Sequence, residues 1–436
     1  MDVRSVWSTW VWNLDPEVVE FFLRIRRIRL IGLLTTGDFA LYTAANCLSL
    51  LGTWMQRIAC SLLVWDMTQS PFWLGVLAAA DLLPTVLVGP IGGAAADRWD
   101  ALKLNRLSQL ALAVVAGLLT AFVQFNVLTL GLLIAIVALQ GCIIAIGQSA
   151  RMTIVQELVG RDDVPVAVAI NSMNVNLARL VGPALAGLLI VLFDVVWVFL
   201  FNTIATLIFV AVLQRIVPKA DTPKQPRGKG VFSEIWQGFR FVASDRGTRL
   251  MLLLLLAGGA LIRAIAEMLP AFAAMLSAVP ATGLAALTSS MAFGSVMAGL
   301  TMNIYLSTPR LPLQIAMAWL MSACVAAAFI FGNSVWTLAV FAMLMGYLTS
   351  VSLIATQTYI QLGTPPVLRG RVLSVHGLIF RASPSLGALV LGLSSDAFGL
   401  EFPVFCSAAI MLVVVLLFMP AVFRMRFHPE EISTRH

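Results

Sequence analysis

Long apolar runs separated by short polar segments make up most of the chain. Twelve runs each hold about 20 or more residues, the length that a helix needs to cross the hydrocarbon core of a bilayer. They lie at residues 39–65, 72–96, 105–125, 128–150, 166–192, 196–217, 250–276, 285–307, 313–332, 335–360, 372–395 and 402–423. The pattern predicts an all-α membrane protein with twelve transmembrane helices, called spans 1 to 12.

Composition excludes the soluble class. Of the 436 residues 60% are hydrophobic and only 11% are charged, whereas a soluble domain has about 25% charged residues. The five cysteines all fall inside apolar spans without a C-x-x-C pair, so we expect small buried side chains and no disulfide framework. The three histidines are dispersed, and the G-x-S-x-G, phosphate-loop and H-E-x-x-H motifs are missing. We therefore expect no enzyme activity, cofactor or metal site.

Lysine and arginine are distributed unequally between the two ends of the spans. None of the 28 falls in the hairpins that join odd spans to even spans, at residues 67–71, 126–127, 193–195, 277–284, 333–334 and 396–401. Four lie inside spans, and the other 24 lie at the opposite ends. By the positive-inside rule the basic ends face the cytoplasm. The sequence predicts a multi-pass membrane protein with both termini cytoplasmic. The net charge of +7 is explained by this placement, so we expect no nucleic-acid partner.

Polar stretches divide the chain into five segments. Residues 1–35 form an N-terminal cytoplasmic or interfacial segment, in which Asp15-Pro16 is typical of a helix start. That basic helix either lies on the inner leaflet or only anchors the topology. Residues 36–217 and 249–423 are predicted six-helix halves, and 424–436 a cytoplasmic tail. The linker 218–248 should hold an amphipathic surface helix whose apolar face comprises Phe232, Ile235, Trp236 and Phe239.

The two halves contain matching positions. Three features of the first half recur in the second at an offset of about half the chain, and the pairs are Gly93 with Gly299, Arg179 with Arg381, and Asp194 with Asp396. A shared offset indicates an internal repeat of six spans. Parallel repeats of this kind occur in membrane carriers that rock two halves around a central site.

One motif resembles a signature of the major facilitator superfamily. The segment 92–106 between spans 2 and 3 carries G-x-x-x-D-R followed by basic residues, as in the loop between helices 2 and 3 of that family. The matching positions are filled by Gly93, Asp97, Arg98 and Lys103. The chain departs from the family at Ala101 and Leu102, where further basic residues are usual, and at Asp100, where Gly is frequent.

A second motif lies in span 5. Gly182-Pro183-Ala-Leu-Ala-Gly187 resembles the GP-x-x-G-G element of superfamily antiporters, with Ala186 in place of one Gly and Ala178 at a position further upstream where the family often has Gly. Pro removes a backbone hydrogen bond and small residues permit close helix contact, which suits a bending or sliding interface. The element could also reflect tight packing alone.

The resemblance extends from about residue 38 to 423 and favours the branch that includes the bacterial enterobactin exporter and related secretion and drug-efflux carriers. It implies a location in the bacterial inner membrane and a fold of twelve helices in two six-helix repeats, working by alternating access. It also implies that Asp97 docks against the start of span 11, near residues 370–374, when the cytoplasmic side is shut. In the family the span 5 element accompanies export.

Six charged residues fall inside the spans, where a charge costs about 2.5–3.5 kcal/mol to insert. They are Arg57, Asp81, Arg179, Arg263, Glu267 and Arg381. Arg57 and Asp81 should lie at similar depths and pair across the first hairpin. Arg263 and Glu267, one helical turn apart, should pair within span 7. The other two arginines have no acid nearby in sequence. His376, entering span 11, is predicted to be a hydrogen-bonded interfacial residue.

Two interpretations of these charges remain open. They could neutralise one another and lock helices together, or they could line a path for substrate and protons. The arginine surplus favours the second, because it would attract an anion, and Asp81 or Glu267 would then carry the proton.

We therefore expect a secondary active transporter that exports a small anionic or amphipathic molecule, such as a siderophore or drug-like compound, by proton antiport. Its partners would be that substrate, protons and the lipid bilayer, and it would act as a monomer. Import, or flipping of a lysophospholipid by the same fold, is an alternative. A non-transporting receptor is a third, which the short loops disfavour.

Overall fold

The computed structural model describes residues 32–34, 37–216, 231–305 and 310–425. Within these ranges the chain forms helices and no strands. Twelve helical segments are long and apolar enough to cross a membrane. The prediction of an all-α protein with twelve spans is confirmed.

The helices follow the predicted order. Spans 1 to 6 are Gly37–Thr68, Pro71–Arg98, Ala101–Gln124, Leu130–Glu157, Val164–Leu192 and Val195–Arg215. A helix at Val231–Ser244, here called the linker helix, precedes span 7. Span 7 consists of α-helix Arg246–Leu261, a 3-10 segment Arg263–Met268 and α-helix Leu269–Leu276. Spans 8 to 12 are Pro280–Tyr305, Leu311–Phe329, Val335–Gly363, Pro366–Phe398 and Glu401–Arg424.

Polar residues in the short connections start the helices that follow them. The Asp194 carboxylate accepts a hydrogen bond from the backbone N–H of Val196, and Asp245 accepts one from Thr248 at 2.7 Å. Each contact satisfies one of the backbone donors that a helix N-terminus leaves free. Directly after the C-terminal end of span 11, Gly399 adopts a φ of +79°, which lets the chain turn sharply into span 12.

Two sequence-based expectations about local structure were wrong. The segment 92–106 was expected to be a loop, but span 2 continues to Arg98 and span 3 begins at Ala101. Span 7 was expected to be one helix, but it changes to 3-10 geometry at Arg263–Met268. Pro270 follows this segment, has no N–H to donate and crowds the preceding turn, which disfavours a regular α-helix through residues 263–268.

Spans 1 to 6 are called the first half and spans 7 to 12 the second half. Within the first half, span 1 packs against spans 5 and 6, and span 2 packs against span 4. Within the second, span 10 packs against spans 8 and 9. Most of the contacts between the halves are made by span 2 with span 11 and by span 5 with span 8. The membrane face that carries the odd-to-even hairpins is called the hairpin face, and the opposite one the basic face.

Large apolar side chains point away from the protein along the spans. Val390 and Leu417, for example, are 69% and 72% exposed. In water such surface would be unfavourable, whereas a bilayer covers it. The linker helix also presents an apolar surface, since Trp236 and Phe239 are exposed, as expected for a surface helix. The side chains of Phe232 and Ile235 lie outside the described part.

Several expectations fall outside the described residues. They concern the N-terminal basic helix starting at Asp15, the polar stretch 217–230 and the tail beyond Met425.

Candidate functional site

A cavity of about 450 Å³ lies between the two halves. All six charged residues that the sequence places inside the spans line it, together with Pro183 of the span 5 element. They come from five different helices, so only the tertiary structure brings them together. A volume of this size accommodates a drug-sized molecule.

Arg57 connects the two halves. Its Nη1 lies 3.4 Å from Oδ2 of Asp81 in the first half, and its Nη2 donates to Oε1 of Glu267 in the second half at 2.9 Å. The three side chains are 32%, 27% and 22% exposed, which means that they face the cavity and not the packed core. The expected pairing of Arg57 with Asp81 is confirmed.

The expected pairing of Arg263 with Glu267 was wrong. Successive residues in a 3-10 helix are about 120° apart, so residues four apart do not share a face as they do in an α-helix. Arg263 instead donates to the backbone oxygen of Phe380 in span 11 at 2.9 Å, and its guanidinium lies 4.2 Å from the centroid of the Phe380 ring. The 3-10 segment thus turns Glu267 toward Arg57.

Arg179 and Arg381 have no acidic partner in the described part of the chain, as the sequence led us to expect. The Arg179 guanidinium lies 5.0 Å from the ring centroid of Trp54, and that of Arg57 lies 5.6 Å from the same ring. Arginine planes over aromatic rings gain cation–π attraction while their N–H edges stay available. Four arginines and two carboxylates leave two positive charges in excess around the cavity.

Sequence reasoning missed the neutral lining. Trp54 lies three residues before Arg57, a spacing that puts both on one helix face and could have identified it. Gln56 and Gln140 were noted only as polar residues in spans. Their amides bond to each other at 2.7 Å, and Asn202 donates to Gln56 at 2.6 Å. This network fixes two cavity-lining amides on spans 1 and 4.

His376 lies off the cavity. It is buried, its ring stacks on Phe380 with centroids 6.3 Å apart, and its Nε2 has no hydrogen-bond partner. The expectation of a hydrogen-bonded interfacial histidine was therefore wrong. The position of His376 along span 11 does not reveal which face of that helix the neighbouring helices cover.

The motif between spans 2 and 3 is only partly described. Gly93, Asp97 and Arg98 belong to the last turns of span 2, and their side chains lie outside the described part. Lys103 is exposed, and its backbone N–H donates to Oδ1 of Asp100 at 2.8 Å. Asp100, which departs from the family pattern, is therefore the N-cap of span 3.

The span 5 element lies where helices approach closely. A Cβ at Gly182 would be 2.8 Å from Cβ of Trp54, and one at Gly187 would be 3.0 Å from the backbone oxygen of Ala281 in span 8. Gly187 thus lies at the contact between the halves. Substitution by a larger residue at this position would push span 5 away from span 8.

Comparisons with known proteins agree with this arrangement. The family model described as transmembrane secretion effector matches residues 32–434. The staphyloferrin A transporter of Staphylococcus aureus (strain NCTC 8325 / PS 47) is 22% identical over 371 residues, covering 82% of this chain and 90% of that protein. The enterobactin exporter EntS of Escherichia coli O1:K1 / APEC is 28% identical over 364 residues, covering 80% and 83%.

A solved structure shares the fold. The nucleoside transporter NupG superposes with a TM-score of 0.72 at 13% sequence identity, covering 90% of this chain and 100% of that one. At this identity the likeness concerns the fold alone, which is that of major facilitator transporters.

Proposed function

The chain belongs to the transmembrane secretion effector family of major facilitator transporters, and from this membership we propose that it exports a small anionic or amphipathic molecule across the bacterial inner membrane in exchange for protons. The family and its relatives are transporters and not enzymes. The relatives named as enterobactin exporter and staphyloferrin A transporter support a siderophore or a similar compound as the substrate.

The charge of the cavity supports an anion. Closing a cavity around an uncompensated charge is unfavourable because the charge loses its water. The two excess positive charges of the arginines would be balanced by one or two negative groups on a bound molecule. Trp54 and Phe380 supply aromatic surface for its apolar part.

The observation that carries the proposal is the position of Arg57 between Asp81 of its own half and Glu267 of the other. Rocking the halves past each other strains or breaks the bond from Arg57 to Glu267. Arg57 would keep Asp81 of its own half, but Glu267 would be left without a cationic partner in a closed cavity, which is costly. The ion pair therefore impedes switching when the cavity is empty.

Either ligand can release this lock. An anion that binds Arg57 replaces Glu267 as its partner, and a proton that binds Glu267 removes the charge that attracts Arg57. An exported substrate is concentrated inside the cell, whereas the proton concentration of a respiring cell is higher outside. The carrier would then move outward with substrate and return with a proton, which is antiport by alternating access.

Efflux from vesicles tests the proposal. Purified protein in liposomes would be loaded with enterobactin or staphyloferrin A, the compounds named for the two relatives. We expect an acidic bath to accelerate efflux, and protein-free liposomes provide the control. If neither compound moves with or without a proton gradient, the proposed substrate class is wrong.

The same ion pair supports import as the second candidate. Anion and proton both act by separating Arg57 from Glu267, so a carrier that bound them together would be a symporter. Acid outside would then drive uptake into empty vesicles, whereas antiport predicts accelerated efflux from loaded ones.

We expect the basic face to be cytoplasmic. Cysteines would be placed at Gln69, in the first hairpin, and at Gln225, in the polar stretch of the linker, each in a background without native cysteines. An impermeant maleimide should label Gln69→Cys in intact cells and Gln225→Cys only after permeabilisation. The reverse pattern would overturn the topology and the export direction.

We predict that Asp97→Asn lowers transport about two- to fivefold, and more if the contact is partly buried, while the protein still reaches the membrane. The reason is the proposed docking of this acid at the start of span 11, where a helix N-terminus favours negative charge by about 0.3–1 kcal/mol or more. Asp100→Asn is the matched control, because Asp100 caps span 3. Normal efflux by well-expressed Asp97→Asn would remove this role.

A further inference from the structure

Asp396 near the end of span 11 bonds to the other half of the protein. Its Oδ2 accepts a hydrogen bond from the Ser70 hydroxyl at 2.7 Å, and its Oδ1 lies 3.4 Å from the backbone nitrogen of Phe72. Ser70 and Phe72 stand at the start of span 2, in the first half. A carboxylate of the second half therefore caps a helix of the first half, at the hairpin face.

The equivalent acid of the repeat behaves differently. Asp194 occupies the matching position at the end of span 5, but its carboxylate accepts from Val196 at the start of span 6, within its own half. The two equivalent aspartates therefore make different contacts. One cap stabilises a hairpin, whereas the other joins the halves.

Spans 2 and 11 pack closely at this end of span 11. A Cβ at Gly392 would lie 3.0 Å from Cα of Phe72, and one at Gly75 of span 2 would lie 2.5 Å from the backbone oxygen of Ala388. Toward the basic face of the same helix, nothing lies within 4 Å of a Cβ built on Gly370 or Gly377. The contact between spans 2 and 11 is therefore tight near Asp396.

We propose that Asp396 is a positioning residue of the transport cycle, which holds the hairpin face shut while the cavity exchanges with the basic face. A helix N-terminus carries partial positive charge from its free N–H groups, so an ionised carboxylate there is favourable. Asp396 is exposed to solvent, its two partners are half-buried, and both hydrogen bonds lie at the exposed surface, so water can replace each contact. The latch can therefore open in each cycle, and it biases the equilibrium without blocking it.

Opening the hairpin face requires span 11 to separate from the start of span 2. Asparagine at this position keeps one acceptor oxygen but has no charge, so Asp396→Asn weakens this contact in the closed state only. The population then shifts toward the state that is open at the hairpin face. The proposal goes beyond the proposed function, since it applies whether the substrate moves outward or inward.

Labelling of the cavity from each side tests the latch. Ser61 lines the cavity on span 1, about two turns from the hairpin face. Ser61→Cys would be built in the full chain with the five native cysteines replaced, and an impermeant maleimide would be applied to vesicles of both orientations. The readout is the labelling rate from each face, with the retained transport of that background checked first.

We expect Asp396→Asn to label about two- to fivefold faster from the hairpin face, because about 0.3–1 kcal/mol of charge–dipole attraction is lost, and more slowly from the basic face. Ser70→Ala should shift both rates the same way by less, and Asp396→Glu should restore them. Asp194→Asn is the matched control and should leave the ratio of the two rates unchanged. A variant that is merely destabilised would label faster from both faces.

Two results would overturn the proposal. One is a ratio of rates in Asp396→Asn equal to that in Asp194→Asn. The other is faster labelling from both faces in Asp396→Asn, together with an unchanged ratio of rates in Ser70→Ala. Ser70→Ala removes a hydrogen-bond donor but no charge, so it tests the latch even if Asp396→Asn is destabilised.

Discussion

Replacing Arg57 with glutamine is expected to lower transport about 30-fold or more, which corresponds to about 2 kcal/mol, the lower end of the cost of truncating one partner of a hydrogen-bonded charge pair. The change leaves Asp81 and Glu267 facing each other across the cavity without a cation between them. It also removes the group on which substrate and proton are proposed to act. We expect the free energy of unfolding to fall by less than the roughly 3–5 kcal/mol of a fully buried pair, because these side chains reach cavity water.

The double variant Arg57→Gln/Glu267→Gln separates the two effects. It removes both charges of the contact between the halves, so part of the stability should return while transport stays low. Thermal unfolding in detergent measures the first quantity, and efflux from liposomes measures the second. Efflux at the normal rate by well-folded Arg57→Gln would show that the residue only locks helices together.

Replacing Glu267 with glutamine is expected to abolish proton-driven transport and to leave substrate counterflow intact. Glutamine keeps the shape and can still bond to Arg57, but it has no charge and binds no proton. The ion pair would be permanently released, so the carrier could switch when empty and would exchange substrate without using the proton gradient. Loss of both activities would instead indicate that Glu267 binds substrate or supports folding.

Asp81→Asn is the matched control for Glu267→Gln. Asp81 bonds to the same arginine but lies in the same half, so rocking does not break its contact. We expect this variant to retain proton coupling. If Glu267→Gln behaved as wild type in both assays and Asp81→Asn lost proton drive, the coupling role would pass to Asp81.

The sequence predicts the spans well because crossing a bilayer imposes length and hydrophobicity on every helix. It also identifies all six charged residues of the cavity, since a charge inside a span is costly and rarely incidental. Contacts within one helix or one hairpin can also be predicted, because the spacing along the sequence sets the depths of both residues. The pair of Arg57 with Asp81 is an example.

Contacts that depend on a local change of helix geometry, or on a residue of the other half, could not be predicted from the sequence. Arg263 and Glu267 have α-helical spacing, and only the 3-10 segment before Pro270 separates their faces. The partner of Glu267 is 210 positions away in sequence. Asp194 and Asp396 resemble each other as sequence positions, yet one contacts its own half and the other the opposite half.

The distance between the halves as a function of pH tests the central claim most directly, because it needs no substrate. Spin labels would be attached at Leu107→Cys on span 3 and Val367→Cys on span 11, two exposed positions near the basic face, in the background without native cysteines. Acidification should shorten this distance in the protein that retains Glu267, as Glu267 is protonated and the halves switch. The distance should not respond to pH when Glu267→Gln is added. A distance that is independent of pH in both proteins, or that responds equally in both, would contradict the claim that this ion pair couples protons to switching.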